Sequence, residues 1–370
     1  MSGTTHPGGL ISHPPMQRPN PRLASIDALR GWAVAAMILV NNPGDWGHVW
    51  WPLEHAEWHG CTPTDLIFPG FLFIVGVSLA FATGPKRDRG ETAGLAGALW
   101  WRAMRIVLLG LVLHAVAHWA MDTRAFRPFG VLQRIGLCFG LTGSVAVLLP
   151  RRRWPWLFIA LLLGYGALLL APGGLQTGSN AEARVDSWLL GRHAYQWDAA
   201  TGLAFDPEGP VGPLGALATT LLGLIAGETL RRGALQRLWT LALIALMLGA
   251  LGSLVWPWNK SLWTPSFVLW AGGWATLALA FFHRLIDRQG LPPLGQSFGI
   301  NAITAYAGAW LMTCLLEGTG WGAKLYASGF AWMTPWTGPL WPSHLWALAG
   351  VAVWWAVAKL MQRRGWVVTI

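Results

Sequence analysis

Between Asp65 and Lys86 the chain reads LIFPGFLFIVGVSLAFATGP, twenty residues without an ionisable side chain. A helix of that length rises about 30 Å, which is the thickness of a bilayer's hydrocarbon core. Similar runs recur along most of the 370 residues, each broken by a short polar or Pro/Gly stretch. Hydrocarbon offers backbone groups no partners, so a chain built this way must satisfy them within helices. Composition agrees, since 11% of residues are charged against roughly 25% in an average soluble domain. The expected fold class is all-α, a polytopic transmembrane helical bundle of about ten spans, at 26–41, 65–83, 99–120, 130–150, 154–171, 211–230, 237–256, 265–283, 296–316 and 342–362.

No segment is left over for a second folded unit, so residues 25–370 read as a single transmembrane domain. Residues 1–24 are rich in Pro, Gly, Ser and His and lack both the apolar core and the cleavage site of a signal peptide. They read as a disordered cytoplasmic tail. The net charge of +10 raises nucleic acid as a partner, but the basic residues stand in short clusters between apolar runs. Topology explains them: with both termini cytoplasmic, 19 of the 26 Lys and Arg fall on cytoplasmic loops and span ends, six outside, and Arg134 within a span. Membrane lipids, not nucleic acid, are the expected surroundings, and a bacterial inner membrane the expected location. Many of the 27 tryptophans sit near span ends, as an interfacial aromatic belt requires. The three cysteines match no metal spacing and cannot all pair.

The outward loop after the first span, NNPGDWGHVWWPLEHAEWHGCTPTD, gathers His48, His55 and His59 with Asp45, Glu54, Glu57 and Asp65. Histidine exchanges protons near neutrality, and a neighbouring carboxylate fixes its tautomer. Asp65 suits that role; it also suits the plainer one of capping the second span, where a carboxylate favours the helix dipole. His55 and His59 are spaced i, i+4, yet HAEWH is not the HExxH pattern and no third ligand is evident, so no metal is expected. Arg134, beside Gln133, is an ionised residue inside a span and therefore a functional candidate, with snorkelling as the alternative. The topology brings the His55 loop, Gln133–Arg134, Asp206–Pro207–Glu208 and Asn259–Lys260 to one membrane face.

The motifs IDALRGWAVAAMILVNN, HAEWHGCTPTDLIFPGFLFIVG, GVLQRIG, FDPEGPVG, NKSLWTPS and FGINAITAY, in that order, resemble the heparan-alpha-glucosaminide N-acetyltransferase family and its bacterial relatives. The resemblance runs from about Arg22 to the C-terminus. It implies a multispan membrane enzyme, working as a homodimer, that moves acetyl from acetyl-CoA to the amino group of a terminal glucosamine. His55 matches the family's catalytic histidine, Asn41 the asparagine of its V-N motif and Asp65 its aspartate. Two departures stand out: the luminal domain of the animal enzymes has no counterpart here, and His59 occupies the place of a different polar residue. The expected acceptor is accordingly a small amino sugar or glycan fragment.

Acyl transfer to an amine needs a base and a donor for the developing oxyanion. His55 serves as base, or as transient acetyl carrier, with Asp65 orienting it and Asn41 donating; Arg134, Gln133, Glu208, Asn259, Lys260, Asn301 and Trp58 are candidates for binding substrate or CoA. Two alternatives stay open: a transporter of N-acetylglucosamine, weakened by the absence of visible repeats, and an acyltransferase acting on another glycan acceptor.

Overall fold

The computed structural model describes residues 23–121 and 125–368. The expected tail lies outside the described residues except for Leu23 and Ala24, and Ala24 already opens the first helix. The helices are α1 Ala24–Val40, α2 Ile67–Asp88, α3 Leu95–Ala120, α4 Val131–Leu148 and α5 Trp154–Leu169, followed by a short α6 Ala181–Leu189. After α6 come two short antiparallel strands, β1 Gln196–Trp197 and β2 Ala204–Phe205, with Gln196 opposite Phe205. The chain continues with α7 Pro213–Arg231, α8 Leu235–Gly252, α9 Pro265–Phe282, α10 Gln296–Ile300, α11 Ala302–Gly318, α12 Trp321–Gly329, α13 Thr334–Thr337 and α14 Leu340–Arg363.

Seven of these, α2 with its preceding turn, α3, α4, α7, α8, α9 with its continuation to Arg288, and α14, are long and apolar enough to cross a membrane. Helices α1, α5 and α11, of 17, 16 and 17 residues, lie on the remaining expected spans but rise only about 25 Å. The protein is an all-α integral membrane protein.

Lipid tails are as apolar as leucine, so helices in a membrane associate by close packing rather than by escape from water. Small residues provide it. At the α2–α7 crossing, a Cβ on Gly76 would fall 1.9 Å from the Thr220 carbonyl oxygen and one on Gly223 2.0 Å from that of Phe73. Phe73, Leu72, Leu221, Leu222 and Leu224 close the seam around them and are fully buried. Helix α8 shows the other side of the same rule: it buries Leu238, Ala242, Ala245 and Gly249 while exposing Leu243, Met247 and Leu251 outward.

The two ends of the bundle differ in charge. Helix α2 starts beside Asp65 and ends at Asp88, which lies 2.8 Å from both Arg151 and Arg231. Arg87, Arg151, Arg231, Arg232, Arg284 and Arg288 therefore cluster at the far end from the His55 loop.

One local expectation needs correction, and one sequence spacing turns out to have no helix behind it. The span expected at 296–316 is broken at Asn301, whose side chain donates to the Trp366 carbonyl (3.1 Å) and accepts from Val368 N–H (3.1 Å). The histidines of HAEWH do not share a helix face, because residues 54–62 are irregular.

Candidate active site

Thr62 and Asp65 bracket the turn that leads into α2, each side chain accepting from the other's backbone amide. The carboxylate divides its work. Oδ2 accepts from the amides of Thr62 (3.0 Å) and Ala56 (3.1 Å), while Oδ1 lies 2.7 Å from His55 Nδ1. Capping and orienting, two separate readings of Asp65 in the sequence, are thus performed by its two oxygens. A carboxylate accepts, so Nδ1 carries the proton and Nε2 presents its lone pair. Asp65 is 1% exposed whereas the imidazole is 50% exposed: a buried anchor under an accessible ring. The loop is lashed down by Thr62 Oγ1 donating to the Glu54 carbonyl (2.6 Å), Thr64 Oγ1 to that of Pro52 (3.0 Å) and Trp58 Nε1 to that of Leu175 (2.9 Å).

Lys260 arrives from the α8–α9 connection, 205 residues away, with Nζ 3.1 and 3.2 Å from the two ring nitrogens and 3.8 Å from Asp65 Oδ1. Asn259 builds the turn that puts it there: its Oδ1 accepts from Leu262 N–H (2.8 Å) and its own N–H donates to Thr264 Oγ1 (3.2 Å), while Nδ2 lies 3.3 Å from His59 Nδ1. The same turn holds Trp263 at φ 50°, an uncommon backbone state for a bulky residue that surrounding contacts must enforce. Burial lowers the Lys260 ammonium below the usual lysine range, with Asp65 and Glu208 opposing and Arg134 assisting. The neighbouring Cys61 thiol is pushed up to about 12 by burial and by Asp65; it stays protonated near neutrality and is no nucleophile there.

A second cluster lies beside the first. Arg127 holds Asp206 through two hydrogen bonds (Nε to Oδ2 2.8 Å, NH2 to Oδ1 2.6 Å), donates to Glu208 (2.6 Å) and stacks on Tyr195. Although burial raises the Glu208 carboxyl, Arg127 and Arg134 bring it below its ordinary value. Deeper in, Arg134 rests on the Trp263 ring, 5.2 Å from its centroid. Its Nε and NH1, and both amide atoms of Gln133, are buried without a hydrogen-bond partner among the described residues. Glu182 hydrogen-bonds Tyr165, and burial raises its carboxyl to about 8.

Three cavities run from one cluster toward the basic end. One of about 660 Å³ is walled by Tyr195, Gln196, Trp197, His114 and Arg127; it shares Tyr195 and Trp310 with one of about 450 Å³ that Asn41 lines; that in turn shares Met37 and Tyr306 with one of about 460 Å³ reaching Arg30 and Arg102. None of the three is lined by His55.

The sequence candidates separate accordingly. His55, Asp65, Lys260 and Asn259 meet. Glu208 joins them through the Arg127 cluster, and Arg134 and Gln133 lie beneath. Trp58 anchors the loop by its indole N–H and packs edge-on against Phe205. Asn41 caps the end of α1 and is exposed to a cavity, with no hydrogen bond to His55 among the described residues. Asn301 stands at the opposite end. Arg127 and Trp263 escaped the sequence reading: Arg127 looks like one more loop cation until its partners, 79 and 81 residues away, are known.

The fold and this site define a polytopic membrane protein carrying a buried carboxylate and an accessible histidine, crossed by a lysine, at one end of its bundle. Residues 22–184 match the family described as heparan-alpha-glucosaminide N-acetyltransferase, catalytic. The human heparan-alpha-glucosaminide N-acetyltransferase is 29% identical over 353 residues, covering 78% of this chain and 52% of that protein. Its mouse counterpart is 27% identical over 358 residues, with 78% and 53% covered. Over those residues the chain is similar to the catalytic part of the heparan-alpha-glucosaminide N-acetyltransferases, and it spans about half the length of the curated relatives it matches.

Proposed function

We propose that the protein transfers acetyl from acetyl-CoA to the amino group of a glucosamine-type sugar, with His55 as the base or transient acetyl carrier. The observation that carries this reading is the His55–Asp65 pair: one ring nitrogen fixed by a buried carboxylate, the other turned outward. Similarity to proteins named as N-acetyltransferases supports the reaction class.

In direct transfer, Nε2 takes a proton from the sugar amine as its nitrogen attacks the thioester carbonyl. The C–N bond forms, the C–S bond breaks, and the imidazolium returns the proton to the departing thiolate. In the two-step route Nε2 attacks first, releasing CoA, and the acetyl-imidazole is then taken by the amine. Lys260 and the incoming group compete for the same lone pair, so substrate must displace the ammonium. Once displaced, Lys260 is placed to donate to the oxyanion. The unpartnered nitrogens of Arg134 and Gln133 are the binding groups left over for substrate or CoA phosphate. The Tyr195–Trp197 cavity, with aromatic faces and Gln196, His114 and Arg127 polar groups, suits a sugar ring. The wider working arrangement we propose is a homodimer in a bacterial inner membrane, basic end cytoplasmic, as positively charged loops favour.

The test is acetyl-CoA consumption by purified protein in detergent with glucosamine as acceptor. Wild type should release CoA only when acceptor is present, and a folded His55→Ala variant should lose that release by a factor of about 10² to 10⁴. Full turnover in His55→Ala would remove the histidine from the mechanism. The linked cavities favour a second reading, transport of an amino sugar. Labelled sugar crossing liposome membranes without any acetyl transfer would establish that reading instead.

A further inference from the structure

The arginines at the basic end exceed what the acids beside them can neutralise, and they are not scattered. Glu228, near the end of α7, lies 2.7–3.0 Å from Arg151, Arg231 and Arg232, and Asp88 is 2.8 Å from Arg151 and Arg231. Two carboxylates are thereby shared among three guanidiniums. Asp287 is taken by His283 at 2.8 Å. Arg152, Arg237, Arg284 and Arg288 have no ion-pair partner among the described residues, and all four are exposed.

Positive-inside topology asks for charge at this end but not for any particular arrangement. Here the cations line two depressions that meet. One of about 760 Å³ carries Arg151, Arg152, Arg232 and Arg237; the other, of about 540 Å³, carries Arg237, Arg284 and Arg288. Arg237 and Ala234 belong to both. The wall of the larger depression is apolar, formed by Trp154 and Pro155 at the start of α5 and Ile225 on α7. Just beyond it Trp156 is 72% exposed, as a tryptophan at a headgroup boundary is. A groove with guanidinium forks on one side and an apolar wall continuing along membrane-crossing helices on the other has the polarity of a phospholipid.

We infer that this groove, between the ends of α5, α7, α8 and α9, binds the phosphate of an anionic glycerophospholipid, its acyl chains lying along the Trp154 and Ile225 side. Guanidinium presents two parallel N–H donors that match phosphate oxygens, and basic pockets between spans on the cytoplasmic side recognise such headgroups. Each arginine near the anionic surface contributes roughly fivefold in affinity. The inference is independent of the acetyltransferase reading.

The experiment uses the full chain in neutral detergent and measures thermal stability and lipid retention by native mass spectrometry. The additions are phosphatidylglycerol, phosphatidylcholine, inorganic phosphate and ADP. Phosphatidylglycerol should stabilise the protein and stay bound where phosphatidylcholine does not. The Arg237→Gln, Arg284→Gln double variant should weaken that binding at least tenfold with its unliganded melting unchanged, since neither residue has an acidic partner to lose. Should the double variant misfold, Arg288→Gln alone carries the test, with a loss of about fivefold. Undiminished phosphatidylglycerol binding in the folded variant overturns the site. Equal stabilisation by inorganic phosphate or ADP through the same arginines overturns the lipid, making the groove a site for soluble phosphate.

Discussion

His55 keeps Nδ1 on Asp65 while the Lys260 ammonium lies within 3.2 Å of both ring nitrogens, and the balance between those two neighbours sets what the ring can do. Asp65→Asn retains the shape but offers an amide that can present its N–H to Nδ1, which favours the opposite tautomer. Acetyl transfer should fall about 10²-fold, with a stability loss of about 1 kcal/mol from the weakened cap; steady-state rates and a melting curve on the same sample separate the two, and unchanged turnover would remove Asp65 from the mechanism. Glu182 makes a different residue-scale prediction. Burial first, then repulsion from Asp186 and Asp206, raises its carboxyl to about 8 against the pull of the Tyr165 hydroxyl and Arg134, from an ordinary 4.5. The folded protein therefore keeps a proton that the unfolded chain has lost between those values. This contribution to stability is full below about 4.5 and is lost as pH rises through about 8. Asp186, raised to about 7 by burial, acts in the same direction. Melting temperature followed from pH 5 to 8.5 should decline, and decline less steeply in Glu182→Gln; equal slopes would mean that Glu182 is not the group titrating.

At the scale of elements, the α8–α9 connection does the positioning, and Asn259 is its organiser. Asn259→Ala leaves the buried Leu262 N–H without its acceptor, a loss of about 1–3 kcal/mol, and loosens the turn that holds Lys260 over His55. We expect reduced acetyl transfer in this variant of a residue that makes no hydrogen bond to His55 among the described residues, with Lys260→Ala adding little further; a large additional loss would show that the turn holds without Asn259. The long helices of this bundle are legible in the sequence because each one is an unbroken apolar run, and the expected boundaries fall within a few residues of the helix ends. The exceptions have a physical reason. Helix α9 continues into His283–Arg288, where polar residues hide the helix from a hydropathy reading. The break at Asn301 depends on Trp366 and Val368, 65 and 67 residues on, and α6 and α12 are too short and too polar to stand out. For the site, His55 and Asp65 are legible because ten residues separate them, whereas the lysine that meets them and the Arg127 clamp are long-range contacts that periodicity does not encode.

The whole molecule sets a geometric problem that its cavities address. On the proposed reading the donor is acetyl-CoA, made where the basic end is expected to face, while His55 stands at the opposite end, so donor and ring would have to meet across much of a bilayer's thickness. The adjoining cavities offer the donor a route as far as the Arg127 cluster, short of His55 itself: Arg30 and Arg102 at the basic end can meet phosphates, apolar walls at Phe71, Val75 and Ile106 suit a thin arm, and Met37 with Tyr306, which line both the first cavity and the next, stand as the neck between them. If the donor threads that neck, Met37→Trp should obstruct it. The apparent KM for acetyl-CoA should then rise roughly tenfold, equivalent to about 1.4 kcal/mol, while the KM for glucosamine stays unchanged if, as proposed, the acceptor enters beside Tyr195 and Trp197. A variant that instead raises the KM for the sugar alone would place the donor at the His55 end and leave the neck to the acceptor. Measured in sealed vesicles with acetyl-CoA supplied from one side at a time, the same pair of constants also fixes which face each substrate uses, since a neck that carries the donor responds only to coenzyme given at the basic end.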